Sequence, residues 1–196
     1  MFTTRELTFL ALLAAVNSVI EISLGSLMHA FGIPGKSIIL LTINLIVYYT
    51  ARSVVDKKGS IAFTGFVIAF IKAVYGWEAS KLGPAFAIMT EALVVEACLL
   101  FMPVRTWSAC ASGAVVKVYA LFLPLIQYLV LGQGKGKANI ERLMSGFNSL
   151  FPALHIEVLI LIGIVWAAIV GAVMGYFAYK TAIQAAKIYR ERRKAA

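Results

Sequence analysis

The chain has 196 residues, 61% of them hydrophobic and only 14% charged, with a mean hydropathy of +0.89. A soluble domain carries about 25% charged residues, so the composition excludes an ordinary soluble globular protein and points to a single membrane domain, 1–196. The net charge of +9 does not require nucleic acid, because six of the eighteen basic residues (Lys180, Lys187, Arg190, Arg192, Arg193 and Lys194) fall in the last seventeen positions, where they read as a cytoplasmic membrane flank.

About 20 apolar residues cross a bilayer as a helix. The hydropathy pattern predicts an all-α, six-transmembrane-helix bundle with spans at 6–30, 35–53, 60–77, 84–103, 107–131 and 154–179 and a basic cytoplasmic tail at 180–196. Gly32, Pro34 and Gly35 punctuate the first junction, Asp56 to Gly59 the second, Pro84 and Pro103 bracket the fourth span, and Pro152 precedes the sixth. The N-terminus lacks a clear small-residue cleavage site and is read as a retained helix. Basic residues at Arg52, Lys57, Lys58, Arg105 and the tail place both termini inside. The long outer connection, 132–152, carries helical apolar spacing at Ile140, Leu143, Met144 and Phe147, which suits a surface-lying helix.

Five ionisable residues interrupt the spans: Glu21, Lys72, Glu91, Glu96 and Lys117. A charge at the bilayer centre costs about 2.5–3.5 kcal/mol on insertion scales, so such groups face a bundle interior or a wet cavity. In the first span, Ala11 and Ala15 form a small-xxx-small pair suited to close helix approach, within the chain or against a partner. Asn17 and Glu21 lie about 120° round the same helix, toward a polar interior. Lys72 sits in the outer third of the third span, either facing a pocket or snorkelling to the surface. Tyr75 is beside it, and Trp77 at the span's mouth is a pocket or belt aromatic.

Glu91 lies about 10 Å in from Pro84. Glu96, about 140° away round the helix, is assigned to an ion pair with Lys117 or a neighbouring subunit. In the fifth span Lys117, Pro124 and Gln127 or Tyr128 recur at helical spacing, and Tyr119 is close by. Pro124 frees a backbone carbonyl, tolerable in a membrane only where another group satisfies it. Asn148, His155 and Glu157 cluster toward the outer end of the sixth span. Together these residues predict a solute pocket in the outer half. Cys98 and Cys110 read as packing residues, and two histidines with no cysteine pattern give no metal site.

This combination resembles the substrate-binding S component of energy-coupling factor (ECF) vitamin transporters: six spans, both termini inside, an outer pocket, and small residues in LALLAAVNSVIE, residues 10–21. The resemblance covers the whole chain as an architecture. It implies a multi-pass protein of a prokaryotic cell membrane that captures a small water-soluble vitamin or precursor. It also implies that Ala11 and Ala15 dock on a transmembrane T component driven by two cytoplasmic ATPases, so that ATP is used by the partners and this chain binds no cofactor. The first loop, with His29, Gly32 and Gly35, would be the lid. The pocket residues suggest a small heteroaromatic with hydrogen-bonding edges. A stand-alone ion- or proton-coupled transporter or channel is the alternative. An intramembrane enzyme is a weaker one, since Gly-x-Ser-x-Gly, paired-aspartate and His-Glu-x-x-His motifs are absent from the sequence.

Overall fold

A capping box starts the first helix. The Thr3 N–H donates to Glu6 Oε2 at 2.7 Å and the Glu6 N–H to Thr3 Oγ1 at 3.3 Å, so each side chain satisfies a backbone donor the helix itself leaves free. In the computed structural model, which describes residues 1–32, 36–75, 82–131, 145 and 156–195, this helix, α1, runs Thr4–Ala30. It is followed by α2 (Lys36–Val55), α3 (Ser60–Tyr75), α4 (Leu82–Phe101), α5 (Thr106–Leu131) and α6 (Ile156–Ala195). Five of the six are long and apolar enough to cross a membrane. The exception, α3, is apolar but has only 16 residues, or about 24 Å of helix. The proposed surface helix at 139–150 lies outside the described residues apart from Ser145, which is helical.

The termini of successive helices alternate between two ends of the bundle. One end carries the start of α1 and the end of α6; the other carries the ends of α1, α3 and α5 and the starts of α2, α4 and α6. In the middle lies α2. It packs against α1, α3 and α6, and its adjacent, fully buried Tyr48 and Tyr49 reach the remaining two helices. Tyr48 donates to the Ile88 carbonyl of α4 at 3.3 Å, and Tyr49 to the Ala109 carbonyl of α5 at 3.0 Å, with Ser112 Oγ 2.9 Å away. Burying two phenols without partners is costly, so these bonds fix α4 and α5 against α2. Large apolar side chains such as Phe66, Phe70, Trp166 and Phe177 remain exposed on the outside, the surface a lipid environment accepts.

The most extensive helix contact is α5 against α6. Gly171 and Gly175 of α6 lie against Gly113 and Ala109 of α5, where an added Cβ on any of the three glycines would meet the facing backbone. This is the small-xxx-small device again, on a different helix from the one the sequence reading singled out.

The basic segment after 179 is helical: α6 continues as one helix to Ala195. Its 40 residues amount to about 60 Å, twice a hydrocarbon core of about 30 Å. Buried Ala178, Ala182 and Ala186 recur at every fourth position and keep the helix packed beyond the apolar stretch. One expectation is corrected: among the described residues Glu96 forms no ion pair, with Lys117 or any other cation. Its carboxylate accepts the N–H groups of Gly59 (2.8 Å), Ile61 (2.9 Å) and Ala62 (3.2 Å), capping α3 from α4. The first turn of a helix has donors with no intrahelical acceptor and a positive dipole end, and a buried carboxylate answers both. Glu96→Ala is therefore expected to cost about 2–4 kcal/mol of stability, read as a lower melting temperature in detergent, with Glu96→Gln intermediate.

Candidate functional site

One cavity of about 440 Å³ opens in the half of the bundle opposite the termini. Its wall takes one or more residues from every helix: Glu21 of α1, Ser37 and Asn44 of α2, Lys72 of α3, Pro84 and Glu91 of α4, Lys117 and Pro124 of α5, and Ala167 of α6. Four of the five intramembrane charges thus converge on a single space, and the fifth, Glu96, is spent on capping α3. The volume falls within the range of about 300–1,000 Å³ typical of small-molecule sites.

The four charges form one closed pair and one open pair. Lys72 Nζ donates to Glu21 Oε1 at 2.5 Å, with the Glu21 side chain 6% exposed and that of Lys72 21%. Lys72 therefore turns inward to a carboxylate and does not snorkel. The other Glu21 oxygen, Oε2, is buried and has no hydrogen-bond partner among the described residues. Glu91 and Lys117, on neighbouring helices, make no hydrogen bond or ion pair within the described residues. Both line the cavity, so a carboxylate and an ammonium are left available to a third party.

One amide, Asn44, joins the charges on the wall, held by a second amide behind it. Asn17 Nδ2 donates to Asn44 Oδ1 at 2.8 Å, both side chains being buried, which ties α1 to α2 at the level of the cavity. On α5, Pro124 lacks the N–H that the Ala120 carbonyl would otherwise accept in the helix. Ala120 and Pro124 both line the cavity, the setting in which a membrane protein tolerates a freed backbone acceptor.

Several expected residues lie elsewhere. Tyr75 is 71% exposed on the outer face of α3, and Tyr119 is half-buried but outside the cavity wall. Trp77, Asn148, His155 and Gly35 fall outside the described residues, as do the side chains of Gln127, Tyr128, Glu157 and His29. Among the described wall residues none is aromatic, so the stacking expected from Tyr75, Trp77 and Tyr119 has no support in the part of the site that is visible. Gly32 adopts a positive φ of 61° just after α1, and Ser37, at the other end of that connection, borders the cavity. Asn44 is the residue that sequence reasoning missed. The signal was present, since it is the lone amide in IILLTINLIVYY, but charges drew the attention.

Comparison with known proteins leaves the chain on its own. No family signature, curated protein or solved structure gives a significant match to it. The functional reading therefore rests on its own geometry.

Ala11 and Ala15 are half-buried, on the flank of α1 between its buried face (Leu10, Ala14, Asn17, Glu21) and an exposed strip of Leu12, Val16 and Val19. They are within reach of a surface partner but are not themselves the most exposed part of the helix.

Proposed function

We propose that the chain is a membrane-embedded solute-binding subunit of the ECF S-component type, which captures a small water-soluble vitamin or precursor and hands it to an energising T component with two ATPases. The observation that carries this reading is the open, mainly apolar cavity in one half of the bundle, with an unspent carboxylate and an unspent ammonium on its wall. The basic residues gather at the opposite, terminal end: Arg52, Lys57, Lys58, Arg105, Lys187 and Arg190. By the positive-inside rule that end is cytoplasmic, and the cavity then opens to the exterior of a prokaryotic cell membrane.

The solute is a compact molecule with complementary edges. A donor or cationic group faces Glu91, and an acceptor or anionic group faces Lys117. Asn44 and the freed Ala120 carbonyl supply orientation. Polar contacts of this kind fix orientation and specificity in otherwise apolar pockets. No step in this reading makes or breaks a covalent bond, and the chain is taken as a binding protein.

The deciding experiment is native mass spectrometry of detergent-purified protein for a co-purified small molecule, followed by reconstitution of the chain alone in liposomes. Binding without accumulation supports a subunit that depends on partners. Uptake by the isolated chain favours the second reading, an ion- or proton-coupled transporter, for which Glu21 with its unpartnered oxygen and adjacent Lys72 supplies a charge pair at the cavity.

Docking on α1 makes a separate prediction. Ala15→Trp is expected to leave solute affinity within about twofold and to abolish partner-dependent uptake, since bulk at a small-residue seam blocks close helix approach. Loss of folding in this variant, seen as aggregation on size exclusion, assigns Ala15 to internal packing.

A further inference from the structure

A second cavity, of about 530 Å³, lies at the terminal end of the bundle and is lined by Arg52, Ser53 and Asp56 at the end of α2, by Val104, and by Ile183, Ala186, Lys187, Arg190 and Glu191 of α6. It is remote from the solute cavity and shares no lining residue with it. Three cations face two carboxylates there. The carboxylate of Glu191 is only 3.9 Å from Lys187 Nζ, and both side chains are largely exposed.

The arginines are built differently from a solvated surface cluster. Arg190 Nη2 donates to the Ser53 carbonyl at 2.6 Å, which pins the extension of α6 to the end of α2. Arg52 has Nε and Nη1 buried with no hydrogen-bond partner among the described residues, and the Ser53 hydroxyl is buried and unpartnered beside it. Buried donors without acceptors carry a desolvation penalty, larger for a charged group. Asp56 lines the same cavity but forms no ion pair with Arg52. A guanidinium left in that state is matched by an oxyanion, for which its fork of donors is shaped.

We infer that this cavity is an anion site for a phosphate group, and that its source is the headgroup of an anionic phospholipid. The apolar part of the wall, Val104, Ile183 and Ala186, suits the glycerol and acyl portion of a lipid better than free phosphate. The site sits where apolar helix gives way to the basic end of α6. Basic pockets between membrane helices are known to take such headgroups. The inference is independent of which solute occupies the opposite cavity. Its consequence is mechanical: a bound lipid would tie the end of α2 to the long extension of α6 through one phosphate.

The test uses the full-length protein in non-ionic detergent, titrated with phosphatidylglycerol, with phosphatidylcholine and with inorganic phosphate. Binding is followed by native mass spectrometry, and stability by melting temperature. Phosphatidylglycerol is expected to bind at least about tenfold more tightly than phosphatidylcholine. Arg52→Gln is expected to remove that preference, and Arg52→Lys, which keeps the charge but loses the fork, to reduce it. Arg190→Gln serves as the second variant should Arg52→Gln fail to fold. Equal retention of the two lipids, or an unchanged preference in folded Arg52→Gln and Arg190→Gln, overturns the inference and leaves the arginines for an acidic protein partner. Inorganic phosphate displacing phosphatidylglycerol at millimolar concentration overturns the lipid assignment and gives the site to a free anion.

Discussion

Gly175→Leu is expected to destabilise the protein by about 3 kcal/mol or more and to prevent recovery of a monodisperse species in detergent. A Cβ at this position would overlap the Ala109 carbonyl of α5, and the clash is with backbone, which cannot rotate away. The same holds at Gly113 and Gly171, so α5 and α6 are held at a separation only glycine permits. Because this is the most extensive helix contact in the bundle, prying it open also displaces Lys117, whose Cβ lies next to Gly171. Gly163, on the same helix and with nothing near an added Cβ, supplies the control. Gly163→Ala is expected to be neutral or stabilising by up to about 1 kcal/mol, since alanine is the better helix former. Melting temperatures in detergent for the two variants separate close packing from a general intolerance of change on α6.

Glu91→Gln and Lys117→Met are each expected to weaken solute binding by about 100-fold, within the 2–5 kcal/mol typical of truncating one member of a desolvated charged contact. The reasoning is that these two groups, alone of the four cavity charges, are not already satisfied by a protein partner or shielded within a pair. The double variant is expected to lose less than the sum of the singles, because both contact one ligand. Tyr75→Ala should leave affinity unchanged, its ring being exposed on the outer face of α3. Calorimetry with the solute found by mass spectrometry measures all four. If Glu91→Gln and Lys117→Met both bind like the parent, the cavity is not the solute site.

Glu21 and Lys72 are expected to respond differently. Removing either leaves its partner's charge buried without compensation, which is costly in itself. A variant at these positions mixes folding and binding effects, so the open pair is the cleaner probe.

The helices themselves were legible in the sequence because membrane insertion imposes a one-dimensional rule: a run of apolar residues about 20 long. Thr3 and Glu6 show their capping box at a fixed spacing, and Glu91 and Lys117 stand out because a charge in an apolar run demands a reason. The roles of those charges were less legible. Glu21 and Lys72 are 51 residues apart, and nothing local says that α1 and α3 are neighbours. Glu96 looked like an ion-pair partner because helical spacing gives only a direction; its real partners are backbone donors at the start of α3, which no side-chain pattern advertises.

The sequence by itself determined an all-helical membrane protein with punctuated spans and a small set of costly intramembrane polar groups. Hydropathy, capping and the insertion cost of charge are all local properties, readable residue by residue. Only the tertiary structure decided that four of the five charges share a cavity while the fifth caps a helix, that Asn44 joins them and Tyr75 does not, and that the basic segment after 179 continues as helix against α2. Those outcomes depend on which helix faces meet, and the meeting is set by contacts distant in sequence: the glycine seam of α5 and α6, and the two tyrosines of α2 reaching α4 and α5.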